Sequence, residues 1–418
     1  MARPLKEVVT AALANHPQVL SADAAVRAAR RDVDQARGGY LPSVDLKLGG
    51  GRENTENPQL RALGMNSVAL TRRESGVTVS QKLFDGFATR SEVERQHARV
   101  GVADARALDT REAVALQAVA AYIEILKNRQ LAKLARDNIE AHEQTLNKIQ
   151  QRVRGGVGQR VDLQQAEGRV ALARSVLTAR DGRLREAEAN YRRVVGEPPQ
   201  QDLAEPQLEA PALLRAGAID SSLLMQSIRA ATEIAWSRNP AVTAADAEVE
   251  VVGAAKRGAH ASFYPRFDLE LSANRNNNLS GVAGEFNNET AMVVMRWNLF
   301  RGGSDRAQEH SFAERYSAAR ENAADTRRLV EERVAVALHS KATTEERLAF
   351  LEQHVKSSAE ALESYQAQLD LGRRSLLDVL NAVNELFTAR SNLVSGRFDD
   401  ILNRYAIEAA KGMLVTGL

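Results

Sequence analysis

The chain has 418 residues, 56 Lys and Arg against 54 Asp and Glu, a net charge of +2 and no cysteine. With 44% apolar and 26% charged residues, this composition excludes a disordered chain, and its charge gives no global attraction to nucleic acid. The missing cysteine excludes disulfides, thiolate metal sites, thiol nucleophiles and a lipidated cysteine within this sequence.

Met1 to Lys6 lack the apolar core of a signal peptide, so an exported form is expected to have lost its signal from this sequence. No apolar run approaches the ~18–20 residues of a membrane helix. A first helix is predicted over 4–37. Two strands follow, 42–50 and 73–84, around a polar loop over 49–72. Val44, Leu46 and Leu48 alternate there with Ser43, Asp45 and Lys47. A long helix, 87–154, holds only Gly101 before Gly155. Gly155-Gly156-Val157-Gly158 then turns the chain into a helix over 161–194.

The next landmarks repeat this order. A linker over 206–220 is short on periodicity, and Pro is frequent where it joins the first half. A helix over 221–259 leads to strands at 265–273 and 290–300. Between them runs a polar loop, 274–289, with Asn276-Asn277-Asn278. A long helix over 304–371 has no Gly or Pro in 68 positions, roughly 100 Å at 1.5 Å per residue. Its apolar positions form narrow stripes, as in a coiled-coil seam. A last helix covers 376–411.

The halves keep register. Leu83-Phe84-Asp85-Gly86 and Leu299-Phe300-Arg301-Gly302 differ by 216 positions, as do Asp109 and Asp325, Gly156 and Gly372, Asp162 and Asp378, and Gly196 and Gly412. The reading is one unit written twice, 1–205 and 221–418.

An ordinary sheet with one wet face would give the same strand alternation. Two features point to a bilayer. The segments have the length of tilted membrane strands. Tyr40, Phe84, Phe87, Phe263, Tyr264, Phe267, Trp297 and Phe300 gather at their helix-proximal ends, where a membrane interface favours aromatics. Both polar loops are then expected outside the cell. Four strands cannot close a barrel, and lipid tolerates no open edge. Two or three chains must pool their strands.

Ser80-Gln81-Lys82-Leu83-Phe84-Asp85-Gly86, Trp297-Asn298-Leu299-Phe300-Arg301-Gly302-Gly303 and Gly372-Arg373-Arg374-Ser375-Leu376-Leu377-Asp378-Val379-Leu380-Asn381-Ala382, with the duplicated plan, resemble the TolC family of outer-membrane exit ducts. The resemblance covers essentially the whole chain. It implies a mainly α fold with a membrane β-barrel: a homotrimer with one twelve-stranded barrel and an α-helical tunnel. It implies the outer membrane of a Gram-negative bacterium, with the helical part in the periplasm. The partners it implies are a periplasmic adaptor protein, an inner-membrane transporter of ABC type and outer-membrane lipid.

The resemblance also assigns roles. Asp378 matches an inward carboxylate of the narrowest ring, and Asn381 stands where the family has a second Asp. Such a pair lies on one helix face, so an acidic ring followed by an amide ring is expected, with weaker cation selectivity than two acidic rings. Arg374 matches a latch residue of the closed tip and Asp162 its acidic partner. Leu369 stands where the family has Tyr. An easily opened duct is expected. Plainer readings stand beside these: Gly156 and Gly372 as helix caps, Asp162 and Asp378 as first-turn acids favoured by the helix dipole, Arg374 as a solvated residue.

Catalytic patterns are missing. The seven His are scattered, no Gly-x-Ser-x-Gly occurs, and the glycine cluster is not followed by Lys-Ser/Thr. No enzyme, metal site, cofactor or nucleic-acid partner is expected. The expected function is passive conduction, with proteins of a type I secretion system as cargo. The alternatives are a multidrug efflux duct of the same family and a non-membrane coiled-coil scaffold.

Overall fold

The computed structural model describes residues 3–206, 214–215, 218–371 and 373–418. Each half opens with two helices where the sequence pattern predicts one: α1 (Leu5–Asn15) and α2 (Pro17–Arg37), then α6 (Ser221–Arg238) and α7 (Pro240–Ala259). Proline lacks an N–H and pushes its predecessor out of the helical region. His16 and Asn239 are accordingly extended, with ψ of 127° and 124°. Their side chains restart the next helix. Gln18 N donates to His16 Nδ1 at 3.3 Å, and Ala241 N to Asn239 Oδ1 at 2.9 Å.

Short 3₁₀ turns lead from α2 and α7 into the strands. β1 (Ser43–Thr55) and β2 (Val68–Phe84) flank a short helix α3 (Pro58–Ala62). A two-residue pair, β3 (Leu214–Arg215) and β4 (Ala218–Ile219), stands apart in the segment expected as linker, the rest of which partly lies outside the described residues. β5 (Arg266–Leu279) and β6 (Val282–Arg296) complete one antiparallel sheet in the order β1-β2-β5-β6.

The strands are longer than their apolar alternation. Half of 49–72 and most of 274–289, expected as loops, are ladder. There the faces are mostly polar and apolar residues keep no period, while backbone pairing continues (Arg52 with Thr71, Asn276 with Phe286) up to an irregularity between Asn277 and Leu279. The second connection shrinks to Ser280 and Gly281, with φ of 57° and 81°, a turn matched to hairpin twist. The fourth strand ends at Arg296 rather than 300. Beyond it, Gly302 and Gly303 take φ of 61° and 86°, which no ladder accommodates.

Register sorts the sheet into two faces. Val44, Val79, Leu271 and Ala291 form one cross-strand row, and Leu46, Val77 and Ala273 continue the next. The opposite face carries Asp45, Thr78, Ser272 and Thr290 in a row, with the last two hydroxyls 2.6 Å apart. Val44, Leu46 and Leu48 are 67%, 67% and 71% exposed. A single chain therefore leaves its apolar face bare. Among the described residues the outer edges of β1 and β6 are also unpaired.

Two compact units cut across the sequence halves. One holds 1–24, 104–243 and 324–418, the other 25–103 and 244–323. α4 (Ala88–Arg154) and α8 (Ser304–Asp370) contribute to both, while α5 (Arg160–Val195), α9 (Leu376–Lys411) and α10 (Leu414–Gly417) belong to the first. In that helical unit Ala115, Ala118, Tyr122 and Ile125 form a buried stripe at 3/4 spacing. It packs with Val8, Tyr191, Phe398 and Tyr405. Val330, Val334, Leu338 and Ala342 do the same against Leu224, Ala235 and Ile407. Gly196 and Gly412 end α5 and α9 in the left-handed conformation, φ 91° and 74°. None of the described helices is long and apolar enough to cross a membrane.

Candidate functional site

In the helical unit, the C-terminal ends of α4 and α8 turn back into α5 and α9. At the first turn Val157 N donates to Arg152 O at 3.0 Å and Gly156 N to Val153 O at 3.1 Å, with Gly156 at φ +78°. That is a glycine C-cap. Gly372, its expected counterpart, lies outside the described residues.

The two turns share a cleft of about 800 Å³ lined by Ile149, Asp162, Leu369, Arg374 and Val379, among others. The structure thus brings the expected latch residues together, but not as the expected pair. Arg374 Nε lies 3.3 Å from Asp378 Oδ2, and its Cζ sits 4.1 Å over the ring centroid of Tyr365. Among the described residues no ion pair joins Arg374 to Asp162, which occupies the first turn of α5. The reason is local. Ser375 caps the start of α9: Asp378 N donates to Ser375 Oγ at 3.2 Å, and the same hydroxyl donates to Asp378 Oδ2 at 2.8 Å. The Ser375 hydroxyl thus holds the carboxylate one turn from Arg374. Leu369 lines the cleft without a polar role. The tyrosine that meets Arg374 is one helical turn earlier, at 365.

Asn381 is exposed, and its Oδ1 accepts from Arg169 Nη2 on α5 at 2.8 Å. Above it along α4, His142 is buried at 2% exposure, with Nδ1 unpartnered among the described residues. Burial, and then the nearby Arg169 charge, hold its pKa below the ordinary histidine value. Tyr365, Ser375, Arg169 and His142 escaped the sequence reading. Only Ser375 had a legible signal, the Ser-x-x-Asp spacing.

In the sheet unit the expected interface aromatics adjoin the strand ends. Phe84 meets Phe87 and Tyr264 edge-on, with centroids 5.4 and 6.4 Å away. Tyr40, Phe263, Tyr264, Trp297 and Phe300 are all exposed, Phe300 at 83%. Trp297 Nε1 donates to Phe263 O at 3.3 Å. The Leu-Phe-Asp-Gly segment has a mechanical role here. Asp85 Oδ2 accepts from Thr89 N at 2.9 Å at the head of α4. Gly86 takes φ +65°, where a Cβ would lie 2.8 Å from Ala261 O and from Tyr264 Cβ.

On the polar face Asp268, 2% exposed, is held between Arg266 at 2.7 Å and Arg296 at 2.9 Å. Arg72 reaches Glu53 at 2.8 Å and also Glu74. Among the described residues no cluster of His, Asp and Glu could hold a metal. These arrangements pair charges and shape a surface; none poises a nucleophile beside a base.

A family model described as "Outer membrane efflux protein" matches residues 8–197 and 232–410. Outer membrane efflux protein BepC of Brucella suis is 26% identical over 415 residues, 98% of this chain and 86% of that protein. Outer membrane protein TolC of Vibrio cholerae is 25% identical, over 99% and 91%. A crystal structure of CusC, 17% identical, superposes with a TM-score of 0.81 over 97% of this chain and 91% of that one.

Proposed function

The chain belongs to the outer membrane efflux protein family, a family of passive outer-membrane channels rather than enzymes, and from that membership we propose how it conducts. Its four strands join those of two further copies in one barrel, and its helices form the periplasmic duct. The observation that carries this is the sheet itself: one face apolar over its helix-proximal rows, one polar face and, among the described residues, two unpaired outer edges. Lipid admits that face only when the edges close. The duct works with a periplasmic adaptor and an inner-membrane pump that supplies the energy. The coiled-coil scaffold falls with the family.

Light scattering during gel filtration tests the assembly. A protein mass near three times 45.7 kDa in detergent, with aggregation once detergent is removed, is expected. A detergent-independent monomer would overturn it.

The narrow end lies at the α8–α9 turn. In a trimer Asp378 and Asn381 form successive rings, one carboxylate and one amide per chain. Cargo on this reading is protein delivered by an ABC-type transporter, supported by the Leu-Phe-Asp-Gly style, which resembles secretion members. The Brucella relative is named an efflux protein, which favours small molecules instead. Expression in cells lacking their own duct separates the two. Restored export of a type I secreted protein is expected; restored dye resistance alone would move the cargo to small molecules.

A further inference from the structure

Arginines on the two faces of the sheet are treated differently. On the polar face Arg72, Arg266 and Arg296 are each neutralised by carboxylates of the sheet. On the apolar face stand Arg52, Arg73 and Arg275. All three are exposed, and among the described residues none has an ion-pair partner. They line up obliquely. Arg275 pairs with Ser75, Arg73 with Asn277 and Gly50, and Arg52 with Thr71. Each is thus the diagonal neighbour of the next, a spacing of roughly 7–8 Å that long side chains bridge.

Their depth is specific. Arg275 is eight residues beyond Phe267 on β5, about 26 Å of strand. Phe267 belongs to the aromatic cluster at the helix-proximal end. The rows between carry Val44, Leu46, Val77, Val79, Leu269 and Leu271, with Gln81 and Glu289 as their polar members; Glu289 is a diagonal neighbour of Arg275 but, among the described residues, makes no ion pair with it. Nine to eleven tilted residues cross a hydrocarbon layer, so the arginines stand at the headgroup level of the far leaflet. Arg73 and Arg275 also flank a shallow pocket of about 260 Å³ with Asn277, Asn287 and Glu285. Glu285 lines it without reaching ion-pair distance of either arginine. Two unpaired guanidinium groups side by side repel unless an anion lies between them. A phosphate monoester or diester matches their planar forks.

We propose that Arg73 and Arg275, extended by Arg52, form a binding site for the phosphate of an anionic lipid in the outer leaflet. The inference rests on the barrel reading above. Basic groups at a membrane surface attract anionic headgroups in this way. Acyl chains would lie along the rows of Val44, Leu46 and Leu271.

Native mass spectrometry of the full-chain trimer in a zwitterionic detergent tests it, with a bis-phosphorylated glycolipid (lipid A) or phosphatidylcholine as probe. Wild type should bind the phosphorylated lipid about tenfold more tightly than phosphatidylcholine. Arg73→Gln/Arg275→Gln should lose most of that preference. Arg73→Lys/Arg275→Lys, which keeps the charge, should retain a few-fold preference and serves if the first variant does not assemble. A trimeric Gln variant with undiminished preference, or a Lys variant no different from wild type, would overturn the proposal. So would release of the lipid by inorganic phosphate added in large excess. Failure of the barrel reading is seen separately, as a chain that is monomeric and soluble before any lipid is added.

Discussion

Replacing Arg374 by Ala removes two contacts at the α8–α9 turn. The first is the stack on Tyr365 at 4.1 Å. With 35% of the Arg374 side chain exposed, it contributes about 1 kcal/mol, between the solvated and desolvated limits of such pairs. The second is the ion pair to Asp378 at 3.3 Å, with partners 35% and 41% exposed. Solvent leaves it about 0.5 kcal/mol. Together they amount to about 1.5 kcal/mol per chain, or roughly tenfold in any equilibrium that breaks both. A concerted opening of three chains multiplies the three factors. In planar bilayers Arg374→Ala should therefore raise open probability, and Tyr365→Leu should give most of that effect. Asp162→Asn should change little, because the carboxylate that meets Arg374 is Asp378. Equal gating by Arg374→Ala and wild type would refute the reasoning. A large effect of Asp162→Asn with none from Tyr365→Leu would do so too, and would restore the Arg374–Asp162 latch.

Three further outcomes are expected. Leu46→Arg places a charge on the apolar face and should cost about 2–4 kcal/mol at mid-bilayer depth. Heat-resistant trimer on gels should fall sharply, whereas Asp45→Asn on the opposite face should leave it. Gly86→Val should block the close approach to Ala261 and Tyr264 and strain a positive-φ turn by about 1–3 kcal/mol. Its readout is yield of folded trimer, with wild-type yield counting against the tight turn. His142 is held neutral, so the unfolded chain takes up a proton before the folded one as pH falls. Stability should be flat above about pH 6.5. Below it, stability should decline by up to ~1.4 kcal/mol per pH unit per chain. Thermal melts at pH 7.5 and 5.5 should show a smaller difference in His142→Gln than in wild type.

The long helices were legible because they are governed by local rules: no Gly or Pro from 304 to 371, and left-handed glycines at 196 and 412 where α5 and α9 stop. The breaks at Pro17 and Pro240 were equally local, yet continuous apolar patterning on both sides concealed them. Strand length was not legible. Beyond Leu48 and Ala273 both faces turn mostly polar, and only the partner strand's backbone keeps the chain extended. The residues expected at the turn share one cleft in the single chain, whereas the contacts Arg374 makes there, to Tyr365 and Asp378, carry no sequence signal. Arg374 meets Asp378 rather than Asp162, with the Asp378 carboxylate also held by the hydroxyl of Ser375. Tyr365 reaches Arg374 across a turn, at a spacing that no helical periodicity marks.

The two hairpins of the sheet end very differently. β5 and β6 close through Ser280 and Gly281 alone, both in left-handed conformations, so an added residue there would slip the register of every row below. β1 and β2 close through a segment anchored by Asn57, which caps α3 through Leu60 N at 2.8 Å, and by the buried Leu60. After that anchor, 63–67 run exposed. An epitope or affinity tag spliced between Asn66 and Ser67 would thus be displayed to antibodies on intact cells in three copies per assembly. The same tag at 280–281 would leave no assembly to label. Surface display thereby becomes a direct reporter of which end of the barrel faces outward.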